Sequence, residues 1–321
     1  MLTNFSRIIF RTPINRGLKI SNANLQALRG RSFRPKNTSD TFSMSKITSN
    51  AGGSHLIAAG SAIGIGSLAL YGLASGSSSS LSAMDKMSVW PDHVRQRIRT
   101  TYAYLATSAG ICALTAVNLA RNPRFISMAM SSGWVFPIVM AAGSIGTGIV
   151  CRSMTFPSDN SPFNAKHLMW GLYSLSLGAM MAPICLMGGP IITQASLYTG
   201  AIVGSLSLVG ATAPSEKFLY MGGVLSIGLG VVFISSIGSI FASPISRLGM
   251  GLNAISIYGG LVVFSGMLLY DTQKVVYRAE THPTYAMVPF DPINNSISIL
   301  LDTINIFTRM VYILSNGNRK K

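Results

Sequence analysis

Apolar residues along this chain run in long, nearly unbroken stretches. From residue 101 onward, seven such stretches follow in close order: 101–120, 126–150, 167–187, 191–213, 218–241, 249–270 and 293–314, with an eighth upstream at 55–75. Each is close to the roughly 20 residues a helix needs to cross a bilayer core. The connections are short and polar or proline-bearing, among them "RNPR" from Arg121, "GGP" from Gly188 and "APSEK" from Ala213. Connections of that length force neighbouring helices to pack antiparallel. Barrel strands alternate apolar and polar residues over about 10 positions, so continuous runs of twice that length exclude a barrel. The pattern predicts an all-α, polytopic membrane bundle of seven core spans with one extra N-terminal span.

The last stretch, 293–314, departs from the rest. Its polar residues Ser298, Asp302, Asn305 and Arg309 recur at steps of four, three and four, which puts all four on one face of an α-helix. Ile297, Ile299, Leu300, Ile304, Ile306, Phe307 and Val311 cover the remainder. A membrane helix with one polar stripe turns it toward the protein interior or a wet cavity. This is the helix on which to look for function.

Composition agrees with the pattern. Of 321 residues 49% are hydrophobic and 11% charged, with a mean hydropathy of +0.43, outside the range of soluble domains. The net charge of +16 is uneven: residues 1–50 hold nine Lys and Arg against one acid, Asp40. Arg, Ser and Asn abound there, acids are spared, and no long apolar core interrupts, which is the composition of a mitochondrial presequence rather than a secretory signal. A basic arm for nucleic acid is the competing reading, but no aromatic platform or nucleic-acid motif accompanies it, so no nucleic-acid partner is expected. The chain divides into a presequence and spacer (1–53), the additional span (54–76), a charged linker or interfacial segment (77–100) and the seven-span domain (101–321). Cys112, Cys151 and Cys185 form no CxxC pair and read as small buried hydrophobes. No hydrolase, metalloprotease or phosphate-loop motif occurs, so an enzyme is not expected and no cofactor is implied.

Only Asp271 and Asp302 of the nine acids lie in or at the boundary of a predicted span. A carboxylate at bilayer depth costs about 2.5–3.5 kcal/mol on insertion scales, so it must protonate, find a cation or reach water. Two carboxylates on neighbouring helices can share one proton. Deprotonated, their oxygens suit Ca²⁺, which takes about six to eight oxygen ligands, others coming from carbonyls or water. Protons and Ca²⁺ then compete for one site, as a proton-coupled exchanger requires, with both as transported ions. A structural reading stands beside it. Asp271 ends its apolar run, with Lys274 and Arg278 as interfacial cations beyond, and Asp302 pairs with Arg309 along one helix face.

Several longer stretches carry a resemblance: "AKHLMWGLYS", "GGPIITQASLYTGAIVG", "YGGLVVFSGMLLYDTQKVVYRAE" and "DPINNSISILLDTINIF". From about Trp90 to Lys321 the chain resembles the mitochondrial branch of the transmembrane Bax inhibitor motif-containing family. The resemblance implies a seven-span bundle, with one added N-terminal span, in the mitochondrial inner membrane. It implies pH-dependent Ca²⁺ leak or Ca²⁺/H⁺ exchange, and links to cristae organisation, resistance to apoptosis, cytochrome c and an inner-membrane AAA protease. The family's pair of aspartates falls on Asp271 and Asp302. In bacterial relatives a basic residue early in the bundle latches that pair. Here no Lys or Arg lies within 101–120 or 126–150; Arg121 and Arg152 stand at their ends, and Arg309 is the substitute offered by the polar face. A scaffold that shapes cristae and holds partners without transporting ions is the alternative.

Overall fold

The structure is a computed structural model that describes residues 90–133, 135–156, 164–213, 218–243, 246–283, 286 and 288–318. The leader, the 55–75 stretch, most of the 77–100 linker and residues 319–321 lie outside the described residues. Regular structure among the described residues is entirely helical.

Helix α1 spans Asp92–Ala120, the short α2 Pro123–Ser131 and α3 Val135–Ser153. Helix α4, Ala165–Met181, runs on into a 3₁₀ turn, Ala182–Met187, and α5 spans Gly189–Thr212. Helix α6 covers Gly222–Phe241 and α7 Arg247–Ala254. A π turn, Ile255–Gly259, joins α7 to α8, Gly260–Thr281, and α9 is Pro292–Asn318. Seven of these stretches are long and apolar enough to cross a membrane: Asp92–Ala120, Val135–Ser153, Ala165–Met187, Gly189–Thr212, Leu219–Phe241, Arg247–Thr281 and Pro292–Gly317. The all-α, seven-span core expected from the sequence is therefore the observed fold.

Boundaries differ from the apolar runs in three places, each for a tertiary reason. Helix α1 starts at Asp92, so residues 92–99 are its first turns; Val94 is buried there, and Arg97 Nη1 donates to the carbonyls of Ala279 (2.8 Å) and His282 (2.9 Å). The 126–150 run breaks between α2 and α3, where Gly133 takes φ +55°, a left-handed value that favours glycine. Asn122 caps α2 by accepting from the Arg124 and Phe125 N–H groups. The 249–270 run ends at Tyr270, but its helix continues to Thr281. Thr272, Gln273, Val275, Val276 and Ala279 in the added turns are buried, and Gln273 Oε1 accepts from the Phe218 N–H at 2.5 Å. Packing extends the helix past the point where hydropathy falls.

Helix α9 is the centre of the bundle, packed by α8, α1 and α5. Two-thirds of its apolar window is buried (67%), against 22% for the α1 and α3 windows, so it is wrapped by protein where they face lipid. Its Ile293, Ile297, Ile299, Leu300, Ile306, Met310 and Val311 form the middle of the apolar core. Without a hydrophobic drive between helices in lipid, close approach does the work. At Gly178 of α4, an added Cβ would lie 2.7 Å from the Cys112 carbonyl oxygen and from Thr115 Cβ of α1. The Cys112 thiol donates to the Ser174 carbonyl at 3.1 Å across the same contact.

One end of the bundle is tied by charge. Lys166, at the start of α4, is buried and forms an ion pair with Asp291 just ahead of α9. Its Nζ also donates to the Met154 carbonyl at 2.7 Å, past the end of α3. Asp291 caps α9 by accepting from the Asn294 N–H at 2.9 Å.

Gly178→Leu is expected to destabilise the bundle by about 1–3 kcal/mol through the forced separation of α1 from α4, read as a lower thermal midpoint in detergent. Lys166→Met should cost about 3–5 kcal/mol, because it leaves the Asp291 charge without its partner. Adding Asp291→Asn should recover part of that loss in the same melt, since an Asn keeps the cap without the charge.

Candidate functional site

Helices α8 and α9 lie against each other along their length, and their facing surface gathers the polar residues of both. Asp271 stands roughly ten residues, about 15 Å, before the end of α8, and Asp302 about as far after the start of α9. Each therefore stands near the middle of its own helix. The acid that closes the apolar run of its span is thus not a helix-end residue; it sits mid-helix, at the depth of Asp302.

The two side chains meet, with the carboxyl of Asp271 within hydrogen-bonding reach of that of Asp302. Asp302 is 4% exposed, and its Oδ2 has no N–H or O–H donor among the described residues. Ionised carboxylates only accept hydrogen bonds. A carboxyl that keeps its proton can donate to the other, and a pair holding one proton would carry a single negative charge.

Each other member of the α9 stripe also has a defined neighbour. One turn before Asp302, Ser298 Oγ accepts from Arg152 Nη2 of α3 at 3.4 Å, and the Arg152 carbonyl accepts from Asn294 Nδ2 at 3.1 Å. Lys274, Arg152 and Arg278 are the cations whose charge acts on Asp271. Lys274 Nζ lies 5.3 Å from the centre of the Tyr270 ring, and Arg278 Nη1 donates to Asn295 Oδ1 of α9 at 2.9 Å. Both stand on the turns of α8 between Asp271 and the end of the helix. Arg278 is exposed.

Two turns beyond Asp302, Arg309 is 2% exposed. Its Nη1 donates to the Asn305 carbonyl (2.9 Å) and to Asn305 Oδ1 (3.2 Å), and its guanidinium lies 4.3 Å from the centre of the Phe264 ring. The stem of α8 makes room for it at Gly260, where any Cβ would strike the guanidinium. Gly260 follows the π turn directly, and π turns are frequent at functional sites. Arg309 thus makes its contacts with Asn305 and the opposite helix, two turns along from Asp302.

Among the described residues, no three His, Cys, Asp or Glu gather as metal ligands would. A cation arriving between Asp271 and Asp302 finds two carboxyl groups, and must complete its shell from carbonyls, hydroxyls or water. The sequence pattern gives no sign of the close approach at Gly260 or of the Lys166–Asp291 pair. Arg152 stands there only as a residue at the end of a span. A signal existed in Ser298, which begins the polar stripe at the end of α9 where a span-end arginine can reach.

The family profile described as "Inhibitor of apoptosis-promoting Bax1" matches residues 94–319. The growth hormone-inducible transmembrane protein of Rattus norvegicus is 46% identical over 270 residues, 84% of this chain and 77% of that protein. Bax inhibitor 1 of Rattus norvegicus is 27% identical over 188 residues, 57% of this chain and 74% of that protein. Bax inhibitor 1 of Drosophila melanogaster is 24% identical over 236 residues, 71% of this chain and 86% of that protein. With seven membrane-length helices and a profile match running from α1 to the end of α9, the chain belongs to the Bax inhibitor family of multi-pass membrane proteins.

Proposed function

We propose that this protein is a cation transporter of the mitochondrial inner membrane that exchanges Ca²⁺ for H⁺ at Asp271 and Asp302. The observation that carries the reading is the meeting of these two carboxyls midway along their helices, one of them with a buried oxygen lacking a donor among the described residues. In the resting state a shared proton holds the pair together. An entering Ca²⁺ displaces that proton and is neutralised by both carboxylates; a proton arriving from the other side displaces Ca²⁺ in turn. The fixed positive charge of Arg309, two turns away, offsets the single negative charge of the protonated pair. Arg152, bonded to Ser298 and acting on Asp271, fits the role of the basic latch.

Other polar groups support a hydrated route. The Thr199 and Ser207 hydroxyls of α5 and the Ser265 hydroxyl of α8 are buried with no hydrogen-bond partner among the described residues. Buried polar groups are normally satisfied, by water where protein does not reach. The mitochondrial address rests on the acid-poor, Arg-rich leader; the family description supports a role in resistance to apoptosis, and the resemblance to the mitochondrial branch supports roles in calcium homeostasis and cristae organisation.

Reconstituted in liposomes, the protein should move Ca²⁺ when a pH gradient is imposed. Asp302→Asn should bring flux to the level of protein-free liposomes while the protein still folds, because an amide can donate to Asp271 where the acid did. Undiminished exchange by that variant would overturn the assignment. Gly260→Ala should slow exchange and lower stability by about 1–3 kcal/mol, by displacing the Arg309 guanidinium. Gly259→Ala, whose Cβ meets only Ile255 at an ordinary 3.6 Å, should leave flux and the thermal midpoint unchanged.

A further inference from the structure

A groove of about 430 Å³ opens on the side of the bundle between α3, α4 and α9. Its walls are apolar, with Ala141, Ile145 and Ile149 from α3, Met180 from α4, and Leu301 and Ile304 from α9. Asn305 and Thr308 stand at its inner end. Their donors are turned back on their own helix, Asn305 Nδ2 to the Leu301 carbonyl and the Thr308 hydroxyl to the Ile304 carbonyl. At its outer end is Arg152, the one charged residue among those that line it.

Position and shape narrow the occupant. From Ala141 to Arg152 the groove follows α3 for roughly 16 Å, close to one leaflet of a bilayer core about 30 Å thick. Arg152 lies in the last turn of α3, where a span emerges at the headgroups. At that length and volume the groove has room for one flexible chain. Ile145 and Ile149 are more than half exposed, so lipid reaches the rim directly.

Arg152 supplies the recognition chemistry. It has no ion-pair partner among the described residues, and a single bond to Ser298 leaves most of its five N–H donors for another acceptor. The guanidinium fork fits phosphate oxygens in bidentate fashion. No acid among the described residues lines the groove, so none of them favours the ammonium of a zwitterionic headgroup.

We propose that this groove is a binding site for one anionic glycerophospholipid, its acyl chain lying between α3, α4 and α9 and its phosphate held by Arg152. Lipid bound there does not depend on ion transport by Asp271 and Asp302. It would draw on the same arginine that reaches Ser298, so the headgroup and the polar stripe of α9 share one cation.

Native mass spectrometry of the full chain released from detergent, with phosphatidylglycerol and phosphatidylcholine of matched chains, tests the site. The expected result is one bound lipid and about a fivefold preference for phosphatidylglycerol, the scale of one basic residue facing an anionic lipid. Arg152→Gln should bring the preference to about one and Arg152→Lys should retain it, by the same reasoning. Ala141→Phe, which fills the inner end, should weaken binding of both lipids. Each variant is compared as a monodisperse species with an unchanged thermal midpoint. A preference untouched by Arg152→Gln, or binding of both lipids untouched by Ala141→Phe, would overturn the proposal. So would a change of oligomeric mass on filling the groove, which would assign the surface to a second copy of the chain.

Discussion

The architecture follows from keeping one stripe of polar side chains on α9 out of lipid. Asp302, Asn305 and Arg309 on a helix facing hydrocarbon would each be costly. Wrapping α9 with α8, α1 and α5 removes that cost, and it explains why the helix with the most polar residues is also the most buried. The outer helices meet the opposite requirement. They expose Ile145, Leu168, Val224 and Phe241 to lipid, and use small residues such as Gly178 where backbones touch. Burial in this protein sorts helices by polarity in the reverse of the soluble rule, with polar groups inside and apolar surfaces outside.

Charge within the bundle is arranged in compensated steps. Lys166 and Asp291 neutralise each other where α4 and α9 begin. Arg152 comes next along α9, then the carboxyl pair, and Arg309 is deepest in the direction of the C-terminus. Each group is matched by a partner from a different segment of sequence, so the polar stripe serves as both functional surface and assembly guide. A helix rotated to a different face would strand several of these groups at once, at a cost well above that of lost apolar packing.

Much of this was legible in the sequence because membrane depth imposes a length and a periodicity that hydropathy records directly. The seven spans were visible as runs, and the stripe of Ser298, Asp302, Asn305 and Arg309 as a spacing. What escaped is what hydropathy does not encode. The turns after Tyr270 look like a loop because they contain Thr272, Gln273 and Lys274, yet α1, α5 and α9 bury Thr272 and Gln273 and keep the helix going. The break at Gly133 depends on backbone geometry at one residue inside an apolar run. Arg152 and Asp291 fall at or beyond the ends of apolar runs, where hydropathy says nothing of their partners. Their partners, Ser298 and Lys166, are more than a hundred residues away in the chain, beyond what local pattern can reach.

The fit of Arg309 against Gly260 keys α8 to α9. A slide of one helical turn, about 5.4 Å, would carry the guanidinium off the glycine and onto a position with a side chain. Rotation would lift it from the Phe264 ring and separate the two carboxyls. The two helices therefore behave as a single strut carrying both acids. Rearrangement of the surrounding helices against that strut would leave the two acids together.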